Sequence, residues 1–425
     1  DLIDVYRIRL QQLTDKTSSE PETETDAEAD GSEGTEGVSS VEDWVAIQSK
    51  VAHVYRTKLN DTDSAIDALQ VLLQRDPSHW DSLNALEELY READQPEAIQ
   101  DILERKANVA PSVEARVALM IERAQIVFEQ LHDHNGSIDI LNRVLAEEPA
   151  NEAGLALLEQ IYTTREEWEN VVDVLHKRDL HVNTERQKAG IQRDIALIYR
   201  DKLHRETEAV DHLEQALELV PDDVEAADIL AGLYVQSEDW IKAEALLTLI
   251  VNRKGWTDNT LPSHQATVRM NRGRALENLL RPEDALLEYE VAHTTDPNSL
   301  EALQALARLS METGDWERSK SMHIAVIEQI EKDADEAQLV VHYRALGDIA
   351  IEQNDQAAAC EYLEKTLMIQ PNDIGALESL MALSEKRGHW DEVIRFATQL
   401  LDLKSEVLEK FDIQLRIGDV YLNHL

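Results

Sequence analysis

Apolar residues recur along this chain at intervals of three and four, the spacing of helices that bury one face. Ile195, Ile198 and Tyr199 mark one helix, and Val210, Leu213, Ala216 and Leu217 a second. Pro221 then breaks the chain, with Asp222 and Asp223 placed to cap the next helix. Ala227, Leu230, Ala231 and Tyr234 give a third helix, and Trp240, Ala243, Leu246 and Leu247 a fourth. Four such helices make two antiparallel hairpins of about 34 to 40 residues each.

The arrangement repeats. Pro77, Pro149, Pro221, Pro297 and Pro371 stand 72, 72, 76 and 74 residues apart. Trp168, Trp240, Trp316 and Trp390 keep the same spacing, and Pro96 occupies the corresponding place one unit earlier. A fixed period with aromatic and proline markers is the signature of stacked supersecondary units, each too small to bury its apolar face alone. Each proline ends one hairpin and turns the chain into the next. Each tryptophan is expected to pack against the turn of the preceding helix and close its hairpin.

These residues resemble the tetratricopeptide repeat family. Ala209, Leu213, Ala216 and Pro221 fit that family's second-helix pattern, as do Ala285, Tyr289, Ala292 and Pro297. Ala65, Leu69, Leu72 and Pro77 fit with the last Ala replaced, and so do Ala359, Leu363, Thr366 and Pro371. The first-helix part reappears as Leu86 with Tyr90, Leu158 with Tyr162, and Leu230, Ala231 and Tyr234, while Ser310 and Ser384 stand where the family has Tyr. The resemblance covers residues 42–405 and implies an all-α fold: an α-solenoid, a right-handed superhelix of ten antiparallel hairpins in five double repeats. Residues 1–14 are read as the second helix of a truncated preceding repeat. Residues 406–425 are read as the first helix of a truncated following one.

Residues 15–41 break the pattern. They hold nine acids and one Lys, and Val38 and Val41 are their only large apolar residues. Such a segment buries too little apolar surface to offset its ordering entropy, and is expected to be a disordered acidic insert. Asp26, Glu28, Asp30 and Gly31 resemble the start of a calcium loop, but its closing position falls on Gly37 instead of a Glu. A solvated linker is the reading taken.

Charge narrows the partners. With 85 acidic against 41 basic residues, the net charge of −44 disfavours nucleic acid, whose phosphates must be neutralised, and direct binding to an anionic membrane. The same excess would suit a salty cytoplasm through charge repulsion that keeps the chain soluble. Cys360 is the single cysteine, so no disulfide or thiolate zinc site can form within one chain. One cysteine and no recognisable export signal fit a cytoplasmic location.

No phosphate-binding glycine loop is present in the sequence, and His132, Asp133 and His134 form its densest group of potential metal ligands. They fall at a turn whose counterparts, Leu59-Asn60-Asp61 and Leu203-His204-Arg205, are merely polar, so no metal, cofactor or catalytic residue is assigned. In the family, first helices line a groove that holds a peptide or helix of a partner. Carrying that over places Asn84, Glu88, Arg91, Gln160, Asp228, Gln236, Gln304, Arg308, Glu312, Glu378 and Glu385 in the groove. This set is mixed to acidic, so a basic or amphipathic protein segment suits it better than an acidic tail. The resemblance therefore implies a non-enzymatic protein-binding scaffold, its oligomeric state open. A regulatory arm of a larger protein, and an enzyme with a groove-borne site, are the alternatives.

Overall fold

The computed structural model describes residues 2–18, 35–256, 260–331 and 336–425, with side chains omitted at 16–18 and 35–41. Among the described residues there are 22 α-helices and no strand. Two compact units divide the chain, residues 1–209 and 210–425. The first begins with α1 (Leu2–Ser18), α2 (Thr35–Val54), α3 (Thr62–Arg75), α4 (Trp80–Glu92) and α5 (Pro96–Asn108). It continues through α6 (Val113–Glu129), α7 (His134–Glu147), α8 (Glu152–Thr164), α9 (Trp168–His181) and α10 (Glu185–Asp201). The division falls in α11 (Glu206–Leu219). The second unit has α12 (Val224–Gln236), α13 (Trp240–Val251), α14 (Pro262–Asn278), α15 (Pro282–Thr295) and α16 (Leu300–Glu312). It ends with α17 (Trp316–Ile330), α18 (Glu336–Glu352), α19 (Gln356–Ile369), α20 (Ile374–Arg387), α21 (Trp390–Leu403) and α22 (Val407–Asn423).

Within each unit helices α1–α10 and α12–α22 pack on their sequence neighbours. The repeat residues form the core: Ala65, Leu69 and Leu72, Ala209, Leu213 and Ala216, Ala285, Tyr289 and Ala292, and Ala359, Leu363 and Thr366 are all buried. Small residues at these places let paired helices approach closely. At two of the first-helix tyrosines the hydroxyl is satisfied by the second helix just before it. Gln70 donates to Tyr90 Oη at 2.8 Å, and Tyr234 donates to Glu214. Burial, and then that acceptor, push Tyr234 up to about 12. The substitutes Ser310 and Ser384 are buried too. Ser384 donates to Glu392 at 3.0 Å, whereas Ser310 Oγ has no partner among the described residues.

Two kinds of turn alternate. After α3, α7, α11, α15 and α19 comes one of the five periodic prolines, and two residues later an N-cap. His79, Asn151, Asp223, Ser299 and Asp373 there accept a backbone N–H from the first turn of α4, α8, α12, α16 and α20. Such a cap is worth about 1 kcal/mol. The other turns, inside the hairpins, each place one residue in the left-handed region: Asn60, Asp94, His132, Glu166, His204, Glu238, Leu280, Gly314, Asn354 and Gly388. The residue after it donates its N–H five or six residues back, as in Glu167→Tyr162, Asp239→Tyr234 and Asp133→Val127, satisfying carbonyls at the end of the first helix. Asp61, Asp133, Asp239, Asp315 and Asp355 then cap the second helix from this same position.

Two expectations are refined in detail. Trp168, Trp240, Trp316 and Trp390 open α9, α13, α17 and α21, and they are half-buried. A side chain in a helix's first residue lies at the rim of the hairpin: Trp168 and Trp390 pack against the core beside them, while Lys202 stands 4.9 Å over Trp168 and Trp390 stacks on His424. The acidic stretch at 15–41 is bounded by helix on both sides, since α1 runs to Ser18 and α2 starts at Thr35. The remainder, 19–34, with the calcium-like residues, lies outside the described residues.

Candidate functional site

Polar side chains on first helices reach across to the next first helix, about 31 to 36 residues on. In the first unit Arg56, in a π-helical turn after α2, pairs with Glu88 at 2.7 Å and Glu92 at 2.9 Å on α4. Arg91 of α4 joins Glu87 at 2.9 Å and Glu122 of α6. In the second unit His264 of α14 meets Asp228 of α12 at 3.1 Å, and Arg308 of α16 holds Glu277 of α14 at 2.8 Å. Arg274 of α14 pairs with Glu301 of α16, and Gln304 donates to Gln338 of α18 at 2.8 Å. Glu385 of α20 pairs with Arg416 of α22, and Glu378 with Lys404 at 2.9 Å.

Most of the sequence-predicted groove residues are thus partnered within the chain. Glu88, Arg91, Asp228, Gln304, Arg308, Glu378 and Glu385 link neighbouring helices, and Glu312 adds a 3.1 Å contact to Arg308 within α16. Gln160 and Gln236 are exposed on α8 and α12, and Asn84 is half-buried on α4. Charges read as a mixed-to-acidic lining are, at these positions, largely cancelled by opposite charges on the adjacent helix. Exposed pairs of this kind are each worth about 0–1 kcal/mol, so they serve register more than stability.

The second unit contains a pocket of about 900 Å³ along α14, α16 and α18. Its apolar lining includes Met270, Tyr289, Ala305, Met311, Val341 and Ala345. The charged residues that line it are Arg274, Glu277, Glu301 and Arg308, and they pair with one another as described above. Burial works against the Glu277 carboxylate, but hydrogen bonds from Arg308 and Tyr289 hold it below the usual carboxylate range. The same contacts raise the Arg308 guanidinium further, so this pair stays charged at any working pH.

His323 of α17 and His342 of α18 also line the pocket, both buried, with Nδ1 atoms 2.8 Å apart. One ring must donate and the other accept, so the two rings cannot both carry a proton on Nδ1. Burial, then the charge of His342, depress His323 to about 4; burial alone depresses His342. The Nε2 of His323 is enclosed without a partner among the described residues. No group of three or more potential metal ligands occurs among the described residues. Nor is any described helix long and apolar enough to cross a membrane.

Of the sequence-predicted groove residues Gln304 and Arg308 line this pocket, and the rest of its lining was missed for a traceable reason. The periodic proline marks only every second hairpin, and groove positions were carried onto the helices just after it: α4, α8, α12, α16 and α20. The intervening first helices include α14 and α18, which supply Met270, Val341 and Ala345. Val341 is the locatable signal, a valine left 61% exposed on a helix whose other large aliphatics are buried or nearly so.

Antiparallel helix pairs in series, with alternating proline and left-handed turns, define an α-helical repeat protein of the solenoid class. The family profile described as tetratricopeptide repeat matches residues 343–373, from within α18 to the cap of α20. The chain is a tetratricopeptide-like repeat protein. Similar solved structures include the C-terminal part of a repeat protein of this family from Cytophaga hutchinsonii, at 13% identity and TM-score 0.42. That match covers 61% of this chain and 99% of the other. A tetratricopeptide repeat protein from Parabacteroides merdae matches at 18% identity over 63% of this chain and 98% of its own, with TM-score 0.33. YrrB, titled a TPR protein with an unusual peptide-binding site, matches at 20% identity over 45% and 91%, with TM-score 0.37. No curated protein sequence matches the chain.

Proposed function

We propose that the chain is a non-enzymatic scaffold, and that the first helices of its second unit hold a peptide or helical segment of a protein partner. One observation carries this: the pocket of about 900 Å³ built by three successive first helices, with an apolar lining and charges that cancel. A cavity of that size is at the upper end for small-ligand sites and larger than one side chain needs. The pairing of Arg274 with Glu301 and of Arg308 with Glu277 supports binding over acid–base catalysis, because each ionisable group is committed to a neighbour. Gln236 and Asp228 on α12, and Glu378 and Glu385 on α20, extend the same row of helices in this reading. Hydrogen exchange of the full chain, alone and with protein captured from its host extract, tests it. New protection confined to α14, α16 and α18 is expected; protection on α15, α17 and α19 instead would overturn the assignment.

A further inference from the structure

The pocket on α14, α16 and α18 is uncharged in sum, but the helix turn beyond it is not. Val341 and Ala345 line the pocket. Asp348 and Glu352 come next at steps of three and four on α18, and therefore continue the same face. Neither carboxylate has an ion pair within 4.0 Å among the described residues. Arg344, one turn from Asp348, is drawn instead towards Asp373 at 3.6 Å. The pocket's own arginines are committed to Glu277 and Glu301. The surface is therefore polar in one direction: an apolar trough leading to two carboxylates without an ion-pair partner among the described residues, Arg344 offsetting Asp348 only in part.

From this geometry, and resting on the groove reading above, we propose that the occupant is an amphipathic helix with a basic end. Its apolar stripe fills the trough, and a lysine or arginine meets Asp348 and Glu352. Ala305 and Ala345 leave room for a helix backbone to come close, and Met270 and Met311 adapt to its side chains. Asp348 already feels the fit from the unliganded side. Its carboxyl is raised by burial, Arg344 offsets this in part, and Asp373 and Glu352 raise it further. A cation from the partner would reverse that penalty. A second copy of the chain is a poor occupant, since two chains of net charge −44 repel one another. An acidic segment is excluded for the same reason at closer range.

The test uses two synthetic helical peptides of ~18 residues with an identical leucine stripe, one ending in lysines and the other in glutamates. Each is labelled and titrated against the full chain by fluorescence anisotropy at physiological salt. The lysine peptide is expected to saturate and to bind at least about tenfold tighter than the glutamate peptide. The variant Asp348→Asn/Glu352→Gln should remove that preference, weakening the lysine peptide and strengthening the glutamate peptide as the repulsion is relieved. Val341→Asn, at an exposed position that does not threaten folding, should weaken both peptides about fivefold. Equal binding of the two peptides, or an unchanged preference in the double variant, refutes the basic-end proposal. Absence of saturable binding by the lysine peptide refutes it as well. Hydrogen exchange on the same mixtures separates the two readings. Protection on α14, α16 and α18 without charge preference sinks only the basic end, whereas binding with no protection there sinks the groove itself.

Discussion

Two glycines in the second unit make a matched experiment. Gly273 lies within α14 and Gly232 within α12, both away from helix ends. A methyl group added to Gly232 meets nothing within 4 Å. The same methyl on Gly273 would sit 2.6 Å from Cδ1 and 2.9 Å from Cζ of Tyr289, and against Cε1 between them. Tyr289 cannot step aside freely, because it is 1% exposed and its hydroxyl donates to Glu277 at 3.0 Å. Replacing a mid-helix glycine by alanine yields about 1 kcal/mol of helix stability. Forcing a close-packed ring to move costs about 1–3 kcal/mol, and weakening its bond to a charged acceptor adds about 1.5 kcal/mol. Gly232→Ala should therefore stabilise by about 1 kcal/mol, and Gly273→Ala, with both losses set against that gain, should destabilise by about 1.5–3.5 kcal/mol. Repeat proteins need not unfold in one step, so the readout is amide exchange within α12 and within α14–α15. In the double variant Gly273→Ala/Tyr289→Leu the added methyl should cost much less, a coupling the cycle measures directly. If Gly273→Ala protects α14 as Gly232→Ala protects α12, the close contact that narrows this hairpin is not there.

The buried histidine pair should make stability depend on pH. His323 has its pKa depressed to about 4 and His342 is depressed too, so the unfolded chain binds more protons than the folded one between about pH 4 and 6.5. Stability held above 6.5 is thus lost as pH falls through that window, by on the order of 3 kcal/mol for His323. Denaturation in 1 M salt at pH 7 and 5 should show the loss, and His323→Leu/His342→Leu should flatten it; an unchanged slope would disprove the pairing. Leu280 holds φ of 60° while 88% exposed, so Leu280→Gly should stabilise by about 1 kcal/mol, and Gly388→Ala, at φ of 73°, should cost a similar amount. Opposite signs in a melt would contradict the left-handed turns. Trp240→Ala should cost about 1.5–2.5 kcal/mol, roughly half the value for a fully enclosed ring, because the indole is only half-buried. Raising salt from 0.1 M to 1 M should increase the melting temperature, since the net charge of −44 is screened while exposed pairs lose little each. A fall with salt would show that the ion pairs outweigh the repulsion.

The fold was legible because its causes are local. The i, i+3, i+4 stripe decides which face of each helix is buried, and a period set by proline and a small-residue pair decides where each hairpin ends. Ala209, Leu213 and Ala216 could be assigned to the core without knowing what they touch. The left-handed turns were harder. His132, Asn60 and His204 read as a polar, variable position, and it is variable because the constraint is on φ and not on the side chain. Asn, Asp, His and Gly tolerate that region best, yet Glu166, Glu238 and Leu280 accept it where the surrounding hydrogen bonds compensate. A motif search for glycine would find Gly314 and Gly388 and miss the other eight.

The groove was less legible because it is defined by residues that meet across repeats. Arg308 is a surface arginine in sequence and a partner of Glu277 only once α14 and α16 lie side by side. Single-sequence reading counts charges but cannot cancel them in pairs, so it overstates acidity where Arg91 faces Glu122 or Glu385 faces Arg416. The converse holds for Asp348 and Glu352. In a chain where one residue in five is acidic they carry no distinction, and they gain it only because nearby arginines are already taken. In such a chain, selectivity for a basic partner depends less on how many acids there are than on which of them the fold leaves uncompensated beside an apolar surface. Neutralising an acid that already has an arginine partner, such as Glu88, should then leave peptide affinity unchanged, while neutralising Asp348 should not.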